Sequence, residues 1–193
     1  MLVARSHPLF AVFDTLLGLG ASRITAPAVV DLLGVAEVRA ALGLDAGDAD
    51  ILVEWLRNSR VAWALDAAHK QALSLPARAE HSFAWAMDRL LAGYLMADVP
   101  GGIDPQPVTL PDGTALLPLA GIEGPSAAAL GSLDRLLCEL QAWRDLAPIE
   151  QPASRWATVL RERVDALLRI DRAAADARAA LSVLHRAIAL LAA

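Results

Sequence analysis

Apolar residues three and four apart, repeated from one end of this chain to the other, constrain its fold more than any other feature. Leu130, Leu133, Leu137 and Leu140 alternate at those intervals, the spacing that gathers side chains on one face of a helix in a bundle. Trp156, Leu160, Val164, Leu167 and Leu168 form a second stripe, and Leu181, Leu184, Ile188 and Leu191 a third. Near the start, Leu9, Phe10, Phe13, Leu16 and Leu17 follow Pro8, a residue suited to the first turn of a helix. Gly18 and Gly20 end that run. The pattern predicts a mainly α, multi-helix domain with a small β-hairpin or irregular loop insertion.

The insertion is residues 99–125, where prolines and glycines crowd together. Within it Val108-Thr109-Leu110 and Thr114-Ala115-Leu116-Leu117 can pair across an Asp112-Gly113 turn. The chain then divides into a helical part over 1–98, the loop or hairpin over 99–125, and a helical hairpin or three-helix part over 126–193. In the first part, Thr25 and Pro27 open a short helix through Val29, Val30, Leu32 and Leu33. Gly34 breaks it, and a second short helix from Val35 to Leu42 closes at Gly43. Two short helices about a glycine suggest a helix-turn-helix over 25–43. A base-reading second helix should expose Arg, Asn or Gln, and only Arg39 qualifies.

Charge and motifs exclude much. The 193 residues carry a net charge of −5, which disfavours strong non-specific binding to nucleic acid. The single cysteine, Cys138, rules out an internal disulfide and a cysteine-based zinc site; its leucine neighbours predict a buried thiol. No signal peptide or spanning run is recognisable, so a cytoplasmic location is expected. Phosphate-cradling and nucleophile-elbow motifs are missing, and no cofactor is expected. Asp45, Asp48 and Asp50 fail as a calcium loop because Leu56 stands where a glutamate is required; they fit a helix N-terminus. His7, His69, His81 and His185 lie too far apart for a local metal motif. An enzyme site would have to be assembled from His69, His81 and nearby carboxylates.

The densest patterning falls in residues 51–94. Ile51, Leu52, Trp55 and Leu56 make one helical face, and Asp66 caps a short helix that Pro76 prevents from continuing. From His81 onward, Phe83, Met87, Leu90, Leu91 and Tyr94 trace a core face, with Trp85, Asp88, Arg89 and Ala92 opposite. Trp63, between the two helices, is expected to anchor the core with Phe83, Met87 and Tyr94. A tryptophan on a polar face marks either a stack with Arg89, four residues on, or contact with another element or subunit. Trp85, Asp88 and Arg89 are therefore the candidate interface.

This stretch resembles the RecC family, the gamma subunit of exodeoxyribonuclease V. Val61-Ala62-Trp63-Ala64-Leu65-Asp66 is similar to a family run Ile-Arg-Trp-Gly-Leu-Asp, with His69 soon after it. Leu73-Ser74-Leu75-Pro76 resembles a Leu-x-Leu-Pro. Residues from Phe83 to Met96 resemble Trp-Arg-Phe-Gly-Leu-Asp-Arg-Leu-Leu-Leu-Gly-Tyr-Ala-Met. Leu117-Pro118 and Glu123-Gly124 fit a shared loop, and Trp143 and Trp156 fall where the family places tryptophans. Two family arginines are replaced here by Ala62 and Ala84, and a Pro-Tyr-Asp by Pro118-Leu119-Ala120. The family protein is several times longer, so the chain looks like an internal segment.

The resemblance implies the helical insertion of a helicase-like subunit that has lost ATP hydrolysis. Its implied role is scaffold and DNA-channel wall, with no chemistry of its own and no catalytic residue. Implied partners are the ATPase-nuclease and second helicase subunits, and DNA in the full complex, with little or no DNA binding alone. Arg57, Arg60 and His69 are then the candidate DNA contacts.

Overall fold

The computed structural model describes residues 7–19, 21–96, 106–111, 113–122 and 127–192. Among them the helical stripes become nine α-helices: α1 (Pro8–Leu19), α2 (Ala26–Gly34), α3 (Ala36–Leu42), α4 (Ala46–Ser59), α5 (Ala67–Ala72), α6 (Phe83–Met96), α7 (Ala127–Leu146), α8 (Ala153–Leu167) and α9 (Ala175–Ala189). A 3-10 turn, Leu190–Ala192, follows α9. The expected hairpin forms from β1 (Val108–Thr109) and β2 (Ala115–Leu116), antiparallel, with Val108 opposite Leu116 and Thr109 opposite Ala115. Gly113 takes the left-handed conformation, φ 83°, that its turn requires. Gly20, Asp112, Glu123, Gly124 and the prolines and glycines from Pro100 to Pro105 lie outside the described residues.

Two compact units divide the chain, each drawn from separated segments. One comprises Met1–Ser22, Ala28–Asp45 and Cys138–Ala193; the other comprises Arg23–Pro27 and Ala46–Leu137. Reading along the sequence yields contiguous parts, whereas these units interleave.

In the first unit, α1 packs on α9, α3 on α8 and α8 on α9, and the closing 3-10 turn lies on both α8 and α9. Leu9, Val12, Leu16 and Leu19 of α1 are buried; the helix continues through Gly18 to Leu19 instead of stopping at the glycine. Leu160, Val164 and Leu167 of α8, with Ala177, Ala180, Leu184 and Ile188 of α9, complete the core. Trp143 and Trp156 meet edge to face, ring centres 6.0 Å apart, a favoured geometry for aromatic pairs. Gly43 ends α3 at φ 73° with its N–H on the Ala40 carbonyl. Arg39 donates to the Leu33 and Gly34 carbonyls at 2.9 and 2.7 Å, closing the end of α2. The one base-reading candidate of the suggested helix-turn-helix is thus spent on its own backbone, and α3 is covered by α8. Cys138 is exposed, not buried: the buried row of α7 is Leu133, Leu136, Leu137 and Leu140, and position 138 turns away from it.

In the second unit, α4 packs on α6. Leu52, Trp55 and Leu56 face that contact from α4 as expected. On α6 the buried row is Phe83, Ala86, Met87, Leu90 and Gly93, joined by Arg89. The helix is therefore rotated from the face that its large apolar residues suggest. Leu91 and Tyr94 are each 43% exposed, so Tyr94 is not a core anchor. The small residues explain the rotation: a Cβ at Gly93 would overlap the carbonyl of Leu119, so backbone approaches where only glycine leaves room.

Candidate functional site

Three non-helical segments of the second unit meet around Trp63. The loop leaving α4 passes through Arg60, Ala62, Trp63 and Ala64. Its Ala64 N–H lies 3.1 and 3.0 Å from the carbonyls of Arg23 and Ile24, and the Ala62 carbonyl accepts from Ala26 at 2.9 Å. Thr25 and Trp63 form an antiparallel bridge. On the other side Ala62 donates to the His81 carbonyl at 2.9 Å, while Phe83 and Ala84 donate to Ala64 and Leu65 at 2.9 and 2.8 Å. The backbone groups of this loop thus find partners outside helix or sheet, as buried backbone must. Tight reversals are the cost: Ile24, Arg60, Ala64 and His81 adopt positive φ of 37°, 58°, 70° and 62° without being glycine. Such conformations are uncommon for residues carrying a Cβ.

Trp63 itself is half-buried. The Arg23 guanidinium and the Lys70 ammonium stand 5.3 and 5.4 Å from its ring centre, within cation–π range. His69 presents its ring edge at 6.4 Å. Lys70 donates to the Glu80 carbonyl at 2.6 Å. Burial pulls the Lys70 pKa below its ordinary value, and the Glu80 carboxylate opposes that shift. Asp66 caps α5, accepting from the His69 N–H at 2.6 Å.

Beside this loop lies a further cation. Arg89 is 8% exposed. Its Nε donates to the Leu117 carbonyl at 2.7 Å and its Nη1 to the Ser59 carbonyl at 2.8 Å. Its guanidinium carbon sits 4.7 Å from the Trp85 ring centre. The Arg89 carbonyl in turn accepts from Leu119 at 3.0 Å. One side chain therefore ties together the end of α4, the middle of α6 and the chain leaving β2. Burial, then the nearby Arg60 charge, lower the Arg89 pKa; an arginine stays protonated regardless. His81 packs on the far part of the same stack, 5.2 Å from Trp85, with its Nδ1 2.9 Å from the Arg60 carbonyl.

The candidate residues separate accordingly. Phe83 and Met87 are buried and Trp63 half-buried. Of the candidate interface, Asp88 is exposed, Trp85 half-buried, and Arg89 buried within its own unit. The rotation of α6 moves Arg89 inward and puts Ala84, Asp88, Leu91 and Leu95 on the outer row. Arg57 and Arg60 are exposed. His69 is 2% exposed with its Nδ1 accepting from the Leu65 N–H, which takes it out of reach of DNA. His69 and His81 each serve a separate backbone contact. Among the described residues no three His, Cys, Asp or Glu side chains gather where a metal ion could bind, and no helix is long and apolar enough to cross a membrane.

In this cradle stacked cations hold backbone, and the connecting loops turn through left-handed conformations. Comparison with known proteins gives it a context. The family model for the fourth domain of the RecBCD enzyme subunit RecC matches residues 6–193. The chain belongs to this family. The RecBCD enzyme subunit RecC of Escherichia coli (strain K12) is 28% identical over 182 residues, covering 94% of this chain and 15% of that protein. That of Mycolicibacterium smegmatis is 28% identical over 173 residues, 88% of this chain and 15% of the relative. The Mycobacterium tuberculosis H37Rv protein is 29% identical over 96 residues, 50% of this chain and 9% of the relative. The chain thus spans 15% or less of the length of these three relatives. Ala62 and Ala84, where the RecC resemblance places arginines, are both exposed, so their replacement changes the surface and leaves the interior alone.

Proposed function

We propose that this chain is a non-catalytic scaffold and DNA-channel segment of the gamma subunit of an exodeoxyribonuclease V-type helicase-nuclease, acting in recombinational repair of double-strand breaks. Membership of the RecC fourth-domain family over residues 6–193 carries the reading. The cradle around Trp63 and Arg89 supports it, because Asp66, His69, Lys70, His81 and Arg89 each bond to backbone there. The outer row of α6 supports it as well: Leu91 and Leu95 are 43% and 78% exposed there. Contiguous exposed apolar residues mark contact surfaces. In this reading they meet another part of the same subunit, or the ATPase-nuclease or second helicase subunit, while exposed Arg57 and Arg60 lie toward DNA.

The test is assembly. The full-length subunit carrying Leu91→Glu and Leu95→Glu is expected to fold yet to lose association with its partner subunits, or to lose contact between its own domains in limited proteolysis. Wild-type assembly together with wild-type proteolytic protection would remove α6 from any interface and count against the scaffold reading.

A further inference from the structure

We infer that the groove between α8 and α9 is a docking surface for an acidic, amphipathic segment of another protein. This goes beyond the scaffold reading and does not rest on it, since it concerns the first unit and uses none of the residues of the Trp63 and Arg89 cradle or of the outer row of α6. The groove has a volume of about 440 Å³ and is lined by Arg161 of α8 with Arg178, Leu181, His185, Arg186 and Ala189 of α9. Three guanidiniums converge there on a chain whose net charge is −5. All three are exposed. The Arg161 and Arg178 side chains have no hydrogen bond or ion pair among the described residues. Arg186 uses only its Nε, at 3.4 Å from the Ser182 carbonyl one turn back. The fourth basic group is already answered: His185 Nε2 lies 2.9 Å from Asp165 Oδ1, although that nitrogen makes no aligned hydrogen bond. The groove therefore offers unspent guanidinium forks, which pair with carboxylates through two parallel bonds.

The floor decides which polyanion fits. Leu181 and Ala189 are the apolar part of its lining, and its single ring, the His185 imidazole, lies against Asp165. Single-stranded nucleic acid is held chiefly by stacking on aromatic rings above a basic track, and this surface has no Trp, Tyr or Phe to offer. An aliphatic floor edged by guanidiniums suits a helix laid in a groove, with its apolar stripe downward and acidic residues at its margins. Arg178 and Arg186 are eight residues apart, about 12 Å along the helix axis, matching carboxylates two turns apart on such a ligand. A net negative chain also repels a long polyphosphate more than a peptide with a few carboxylates.

The experiment uses the full 193-residue chain and two probes at 50 mM salt. One is a fluorescein-labelled 18-residue helical peptide with leucines at i, i+3, i+4 and i+7 flanked by glutamates; the other is a 20-nucleotide oligothymidylate. Saturable peptide binding is expected, weakened roughly tenfold or more by Arg161→Glu with Arg178→Glu at unchanged helicity. Arg161→Lys with Arg178→Lys should retain most of it. Arg161→Gln with Arg178→Gln serves as the second variant should glutamate perturb α8 and α9. The inference is overturned if the peptide shows no saturation, or if the arginine variants bind it as well as the parent does. It is equally overturned if oligothymidylate displaces the peptide with the same arginine dependence, which would make the groove a nucleic-acid contact.

Discussion

Arg89 is the residue where burial and sequence pattern diverge most. Its hydrogen bonds reach carbonyls 28 and 30 positions away, at Leu117 and Ser59, partners that no local spacing announces. A pattern reading places arginine on the surface, and only the tertiary structure reveals a buried clamp. Arg89→Ala strands two carbonyls and one aromatic face. Hydrogen bonds to charged groups are worth about 1.5–3 kcal/mol each, so losing both is expected to cost about 3–6 kcal/mol in urea unfolding. Arg89→Lys should fall between, because an ammonium cannot reproduce the guanidinium fork. A parental urea midpoint in Arg89→Ala would show the clamp to be idle. Ala64 is the opposite case. Its φ of 70° stands where the RecC-like run carries glycine. The left-handed region costs a residue with a Cβ about 1–2 kcal/mol, and glycine's extra chain entropy recovers about 0.5–1 kcal/mol of that. Ala64→Gly should therefore raise stability by about 0.5–1 kcal/mol in thermal melting, although Ala64 is fully buried. A loss of about 1 kcal/mol, the ordinary result for glycine within a regular element, would show that the loop relaxes in solution.

At the scale of elements, periodicity located the helices well because each stripe is long and apolar, and the hairpin declared itself through its turn. What periodicity did not set was the phase of α6. Large side chains drew the expected face toward Leu91 and Tyr94, whereas packing is governed by the small residues Ala86 and Gly93, which bring the helix close to its neighbours. The same limit applies to Cys138, whose leucine neighbours in sequence lie on a different face of α7. Gly93 gives this a measurable form. Alanine is the better helix former by about 1 kcal/mol, so on propensity alone Gly93→Ala should stabilise α6. The overlap with the Leu119 backbone predicts the reverse, a loss of about 1–3 kcal/mol as overpacking forces backbone to shift. Equilibrium unfolding of the single variant separates the two. A gain in stability would mean that the chain after β2 does not rest on α6.

For the whole molecule, charge carries the remaining argument. The chain has 17 basic and 22 acidic residues, and several of its cations are engaged within the fold. Arg39 closes α2, Arg89 clamps α4 and α6, Arg163 pairs with Glu139 at 2.6 Å, and Arg144 lies 3.2 Å from Asp145. Arg23 and Lys70 lie over Trp63, so its ring is crowded as a platform for a base. Affinity for duplex DNA comes largely from lysines and arginines that displace counterions from phosphates. With acidic residues outnumbering basic ones and a net charge of −5, this chain alone should bind a 20-base-pair duplex at 0.15 M salt no more tightly than the weak end of non-specific binding, a Kd of about 100 μM. Fluorescence anisotropy across a salt series checks this, with a shallow dependence of affinity on salt as the accompanying expectation. A sub-micromolar Kd with a steep salt slope would require an uninterrupted basic track, and the chain would then have to be read as a DNA-binding module in its own right.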